Sequence, residues 1–272
     1  MTDRISVKAI RRHGPDSSAT DHDLVAIESP LAVHVVHPAS AAPRQLGILM
    51  RTPGDDRDLV MGLLYAEGLI DRASHVASTI ARAETDGDDP RETMDITFVA
   101  DAPWDEASAG RALSPTSACG LCGRLALSAL DVRARAGVDA ARALRRSVVE
   151  AVPDRLRAAQ RVFAETGGLH AAAAFDEDGT LIALREDVGR HNAVDKLVGA
   201  LLDEGRVPVG AATLGVSGRV AYEIVQKAAR AGFSAIVAIG APSSLAIDAC
   251  RAAGITLVGF ARDRRFNVYA GV

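Results

Sequence analysis

Two cysteines, Cys119 and Cys122 in the string Cys119-Gly120-Leu121-Cys122-Gly123, carry the most reactive side-chain chemistry in this chain. A structural zinc site needs four ligands, and the one other cysteine, Cys250, stands alone. A zinc-activated water of the kind nucleobase deaminases use needs a His-x-Glu element and a proline directly before the pair. None of the seven histidines is followed by x-Glu, and Ala118 precedes Cys119, so no metal site is expected. A redox disulfide pair belongs near a βαβ unit. Here the pair lies mid-chain behind a Ser/Thr-containing loop, which weakens that reading without removing it. A nucleophilic thiol that accepts a group and passes it on fits better. Gly120 and Gly123 let the backbone approach a partner closely. A helix expected from about residue 122 turns its unpaired N–H groups toward the sulfurs, and Arg124 adds positive charge. If these lower a thiol pKa from about 8.5 to about 7, the thiolate fraction at neutral pH rises from roughly 3% to roughly half, a shift of about 2 kcal/mol. Cys119, first in a loop-to-helix pair, is the expected carrier, with Cys122 assisting transfer or resolving the adduct. Cys250 falls in an apolar helix stripe with Leu245 and Ala249 and reads as core.

Three turns could gather an anion. They are Gly215-Val216-Ser217-Gly218-Arg219, Gly240-Ala241-Pro242-Ser243-Ser244, and Phe260-Ala261-Arg262-Asp263-Arg264-Arg265. Each leaves an expected parallel strand at its C-terminal end, and the first two run into helix N-termini, which favour negative charge. The Ser217-Gly218 backbone can approach a ligand, Arg262, Arg264 and Arg265 can fork onto a diphosphate, and Phe260 can lie against a base. Singly such turns are ordinary loop chemistry; together they favour a nucleotide pocket. A dense charged stretch containing Arg185, Glu186, Asp187, Arg190, His191, Asp195 and Lys196 enters a further helix. Ion pairs and capping account for most of it as a salt-bridged rim. Its His191, with His170, is the candidate for handling protons near neutrality, although neither is counted in the binding site.

The elements that must position these residues follow from periodicity. Residues 25–36 read as two short strands broken at Pro30, and 45–50 as another. Thr52 and Pro53 suit the start of a helix, Leu59, Leu63 and Leu64 follow at helical spacing, and Gly68 ends it. Met94, Ile96 and Phe98 alternate as in a strand, after an exposed charged loop at 86–92. A helix is expected over 124–136, no sharp pattern over 138–153, and a helix over 156–165. A hairpin of 170–175 with 180–184 comes next, around Asp176-Glu177-Asp178-Gly179. Helices at 193–203, 220–231 and 245–253 then alternate with strands at 212–216, 235–239 and 256–260. That rhythm predicts an α/β fold with a mostly parallel sheet covered on both faces. The domain boundaries expected are a flexible extension over 1–23, a smaller β-rich N-terminal lobe over 24–145 carrying the cysteine loop, and an α/β lobe over 146–272 that binds the ligand.

The totals agree with a globular protein. Of 272 residues, 48% are hydrophobic and 24% charged, while aromatics at 4% leave Ala, Val, Leu and Ile to fill the core. A net charge of −4 gives no reason to expect nucleic-acid binding, so an anion site must be local. Three cysteines argue for a reducing compartment. No run of about 18 uninterrupted apolar residues exists to span a membrane, and no apolar stretch follows Arg11-Arg12 to make a twin-arginine signal. The cytoplasm is the expected location.

Several segments together resemble the formate dehydrogenase accessory sulfurtransferase (FdhD) family. They are Met50-Arg51-Thr52-Pro53-Gly54-Asp55, Glu67-Gly68, the cysteine loop, Thr166-Gly167-Gly168-Leu169-His170, the long run from Arg185 to Lys196, Ser217-Gly218-Arg219, Gly240 to Ser244, and Phe260 to Asn267. The resemblance implies a persulfide relay. A cysteine desulfurase hands sulfur to the cysteine loop, which passes it to a molybdenum bis(molybdopterin guanine dinucleotide) cofactor destined for formate dehydrogenase. It also implies a cytidine-deaminase-like three-layer core without the deaminase zinc, a homodimer, and cofactor binding at Phe260, Ala261, Arg262, Asp263, Arg264 and Arg265. Leu121 and Arg124 stand where family members often have Val and Lys, and neither change removes a reactive atom. Two other functions remain open on the residues: a non-catalytic cofactor chaperone that uses the arginine turn alone, and a thiol–disulfide oxidoreductase.

Overall fold

The computed structural model describes residues 4–14, 18–40, 42–86, 89–104 and 144–271. Cys119, Cys122 and the helix expected over 124–136 lie outside the described residues.

The first third of the chain is mainly strand. β1 (Ile5–His13) and β2 (Ser18–Ala26) form an antiparallel hairpin, in register from Ile5↔Ala26 to His13↔Ser18. Much of the segment expected to be a flexible extension is thus strand, its root tied down where Arg4 donates to Asp55 at 2.8 Å. β3 (Ser29–Val36), β4 (Arg44–Arg51), β5 (Val76–Asp86) and β6 (Asp89–Phe98) form a four-stranded sheet in the order β4-β3-β6-β5. Pro30 does not break a strand, contrary to expectation. It pairs with Met50 at the start of β3, one residue before the Leu31↔Glu92 pairing with β6 begins, and a strand's first residues are where a proline is tolerated.

Helix α1 (Asp56–Glu67) follows β4, with Asp56 and Asp58 in its first turn and left-handed Gly68 returning its N–H to the Leu64 and Tyr65 carbonyls. Thr52 is not its cap: the residue there is Asp55, at φ 54° and without a side-chain capping bond.

The remainder runs α2 (Arg146–Ala159), α3 (Arg161–Thr166), β7 (His170–Phe175), β8 (Leu181–Asp187), α4 (Arg190–Asp203), β9 (Thr213–Val216), α5 (Tyr222–Ala231), β10 (Ala235–Ala238), α6 (Ser244–Ala253), β11 (Thr256–Arg262) and β12 (Arg265–Ala270). The patternless stretch over 138–153 therefore hides the start of α2, which carries Pro153 in its interior. Six strands order as β12-β11-β10-β9-β7-β8. The expectation of a mostly parallel sheet is corrected, because only β9–β10 and β10–β11 are parallel neighbours. The tight turn between β7 and β8 and the one between β11 and β12 force antiparallel returns, and β7 also runs antiparallel to β9. The sheet is mixed.

Both faces of this sheet are covered. Ala172, Ala174, Leu214, Val216, Ile236 and Leu257 pack with α4, α5 and α6 on one side. Their alternates Ala171, Ala173, Phe175, Val237 and Val258 pack under Val148, Val149, Val152 and Leu156 of α2 on the other. The four-stranded sheet shares the first of these cores through Leu31, Val33, Val35 and Ile96, with α1 between. Helix α1 lies directly on α4. A Cβ added at Gly62 would sit 1.9 Å from the Asp195 carbonyl oxygen, and one added at Gly199 would sit 1.9 Å from that of Asp58. Backbone meets backbone at this crossing because neither residue has a side chain.

Candidate functional site

A buried polar joint fixes the N-terminus of α4. Lys196 and Asp187, both fully buried, pair at 2.8 Å, and the Lys196 ammonium also donates to the Thr52 carbonyl at 2.8 Å. Asp187 accepts further bonds from the backbone N–H groups of Thr52 and Gly189 and from Asn192 Nδ2. The Thr52 hydroxyl accepts from Val188 N–H, and Asn192 donates to the Met50 carbonyl. Thr52 is thus spent joining two distant segments instead of capping α1. The salt-bridged rim expected of the charged stretch is here an interior lattice. Beside it, fully buried Arg51 forks onto Asp56 at 2.8 and 3.0 Å and reaches Glu92 and Ser29.

With α4 fixed, one end of the six-stranded sheet gathers the expected anion turns. Ser217 and Ala171 exchange bonds, Ser217 N–H to the Ala171 carbonyl at 3.0 Å and Ala171 N–H to Ser217 Oγ at 2.9 Å. The Ser217 hydroxyl proton remains available to a ligand. Gly240 lies against Gly218, where a Cβ would meet the Gly218 carbonyl oxygen at 2.7 Å. Phe260 N–H donates to the Gly240 carbonyl at 3.2 Å, which brings the third turn to the same edge. The helices entered here, α4 and α5, begin at Gly189 and Ala221, neither of which supplies a capping side chain, while Ser243 caps α6 through Ala246 N–H. Helix N-termini without a capping side chain suit an anion.

The arginine segment is a hairpin tip. Arg262 pairs with Arg265 across Asp263 and Arg264, whose φ angles of 51° and 58° make a two-residue turn of the mirror-image type without glycine. Phe260, at φ 53° and 42% exposed, adds a third strained residue. Strain of this kind costs on the order of 1 kcal/mol per residue and gathers at ligand clamps. Arg262, Arg264 and Arg265 are exposed, and only a 3.8 Å contact between Arg265 and Asp263 engages any of them in an ion pair among the described residues. Ala261 turns its methyl into the core under α2, so it can offer a ligand only backbone.

The structure sets the two histidines named from the sequence in place and adds Glu223 and Lys227, which no spacing announced. The His170 ring packs on Gly218, its Nδ1 3.2 Å from where a Cβ would stand, with Arg190 beside it. His191, on the first turn of α4, faces Glu223 on the first turn of α5 at 3.8 Å. Burial, then Lys227, Arg190 and His170, push its imidazole down to about 4. Burial, then Arg190, also lowers His170. Behind them Lys227 pairs with Asp195 at 2.6 Å, and burial pushes the Asp195 carboxyl up to about 6 against the pull of that ammonium. Cys250 is fully buried in α6, its thiol pushed up to about 12 by burial, which removes it from thiol chemistry. Among the described residues no three His, Cys, Asp or Glu side chains converge to hold a metal, and no helix is long and apolar enough to cross a membrane.

A family model described as the FdhD/NarQ family matches residues 26–272. The chain belongs to that family. The matched span includes both sheets and all but the N-terminal hairpin. A sulfur carrier protein FdhD of Streptomyces avermitilis is 42% identical, the alignment covering 100% of this chain and 94% of that protein. A sulfur carrier protein FdhD of Mycobacterium tuberculosis is 39% identical over 96% of this chain and 95% of its own length. A crystal structure from Desulfotalea psychrophila, assigned as a formate dehydrogenase accessory protein, superposes with a TM-score of 0.70 over 99% of this chain at 21% identity. That likeness shows that the two chains share one overall fold.

Proposed function

We propose that this chain is a sulfur carrier in formate dehydrogenase maturation, a cytoplasmic homodimer that takes persulfide sulfur from a cysteine desulfurase onto Cys119. It then delivers that sulfur to the molybdenum bis(molybdopterin guanine dinucleotide) of formate dehydrogenase, held as cargo at the turn-bearing end of the six-stranded sheet. The observation that carries this reading is similarity along essentially the full chain to proteins named sulfur carrier. Two features support the site. Cys250 is inert, which leaves Cys119 and Cys122 as the thiols able to carry sulfur. An exposed arginine hairpin adjoins glycine-lined turns and helix N-termini, the chemistry a dinucleotide's diphosphate requires.

The test is intact mass after incubation with a cysteine desulfurase and cysteine. The wild type should gain about one sulfur, removable by reductant. Cys250→Ala should load normally, and Cys119→Ala should neither load nor activate the dehydrogenase. Full activation by Cys119→Ala refutes the relay and leaves a cofactor chaperone. For the cargo, GDP is the probe. Each charge-assisted bond is worth about 1.5–3 kcal/mol, so Arg262→Ala or Arg265→Ala should weaken GDP binding in calorimetric titration by about ten- to a hundredfold. Persulfide loading should survive both. Equal affinity in the double variant moves the pocket elsewhere.

A further inference from the structure

A carboxylate and an imidazole stand opposite each other at the turn-bearing end of the sheet without making a hydrogen bond. His191 Nε2 is closed to solvent and has no hydrogen-bond partner, and the nearest Glu223 oxygen is 3.8 Å away. A structural His–Glu contact forms at about 2.7–3.2 Å, and buried polar atoms are otherwise satisfied. The His191 side chain is 21% exposed, and the covered Nε2 contributes none of that exposure. Nδ1 also makes no hydrogen bond among the described residues. Glu223, 13% exposed, has no ion pair there except this long one. The groups around the ring are Arg190 and Asp195 on α4, Lys227 with Glu223 on α5, and His170 at the start of β7. Asp195 is taken by Lys227, so among the described residues the carboxylate left to balance a charge on the ring is Glu223.

We propose that His191 is a proton acceptor for a sulfur-bearing ligand at this end of the sheet and that Glu223 is its positioning residue, holding the imidazolium once it forms. The proposal rests on the sulfur-carrier reading. The ligand group is a sulfanyl S–H, as in a persulfide. Its S–H bond breaks, the electron pair stays on sulfur, and the proton goes to Nδ1. The positive charge then draws Nε2–H toward the Glu223 carboxylate, closing the 3.8 Å gap seen at rest. Burial and then the cationic neighbours keep the imidazole neutral at rest, and it is the approach of the Glu223 carboxylate that makes the ring basic enough to hold the proton.

The experiment uses the full chain loaded by a cysteine desulfurase, with activation of cofactor-containing, sulfur-free formate dehydrogenase as readout. His191→Ala should load Cys119 as the wild type does, while sulfur delivery falls by about 10²–10⁴-fold. Free imidazole should restore part of that loss, which a purely structural role does not predict. Glu223→Gln removes no hydrogen bond, so thermal stability should hold while delivery falls at least about tenfold. If the wild type loads but never activates the dehydrogenase, the sulfur-carrier reading fails and this inference falls with it. If the wild type activates and both variants match its rate, or imidazole rescues nothing, this inference alone fails.

Discussion

Lys196→Met should destabilise the protein by about 3–5 kcal/mol, a loss of roughly two to four powers of ten in the folding equilibrium. The side chains of Lys196 and Asp187 are both fully buried and 2.8 Å apart. Methionine fills the space but leaves the Asp187 carboxylate charged in the interior. Three donors remain, Thr52 N–H, Gly189 N–H and Asn192 Nδ2, and all are neutral. The Thr52 carbonyl loses its ammonium donor as well. Removing the charge from the other side tests the cause: Lys196→Met with Asp187→Asn should recover a good part of the loss, because no unpaired ion is then buried. Chemical denaturation of the two singles and the double closes the cycle. A loss below about 1 kcal/mol for Lys196→Met means that the pair is solvated and the joint is not as drawn.

Gly62→Ala should have the opposite sign from an ordinary helix substitution. Glycine to alanine in a helix interior normally gains about 1 kcal/mol. Here the new Cβ arrives 1.9 Å from the Asp195 carbonyl oxygen, with the carbonyl carbon at 2.6 Å. The obstacle is backbone, not the end of a flexible side chain, so α1 and α4 must separate. Overpacking of this kind costs about 3 kcal/mol or more when helix axes have to move. Gly199→Ala meets the Asp58 carbonyl at 1.9 Å and should behave alike. Because both substitutions open the same crossing, the double variant should lose less than the sum. Thermal melting decides the matter. A melting temperature for Gly62→Ala at or above that of the wild type contradicts the close crossing.

The two substitutions probe parts of the molecule that differed in how readable they were. The strands β7, β8, β9, β10 and β11 and the helices α4, α5 and α6 emerge within a few residues of the expected bounds, since each carries a period of two or 3.6 and is bounded by a turn such as Asp176-Glu177-Asp178-Gly179. β12 was invisible because its turn, Asp263-Arg264, takes two left-handed residues without the glycine or asparagine that announces one. The start of α2 was obscured by Pro153, and β1, β2 and β5 by strands whose exposed faces leave little apolar alternation.

Sequence by itself determined the chemistry on offer: a glycine-flanked thiol pair, turns that could cradle an anion, and a crowd of arginines after the last parallel strand. These are local properties, set by residue type and by neighbours a few positions away. Direction and proximity were decided only by the tertiary structure. The hairpin of β7 with β8 is legible in the residues, but nothing in their order says that β7 also lies antiparallel to β9, and that placement sets His170 against Gly218. Nor does that order say that Thr52 serves Asp187 and Lys196, 135 and 144 positions away, instead of capping its own helix. The charged run looked like a surface rim because charge on a sequence carries no sign of depth. Burial turned it into a joint, because an interior ion must find its partners wherever the fold supplies them. The same holds for His191 and Glu223, which stand on different helices and meet only because α4 and α5 begin at the same end of the sheet.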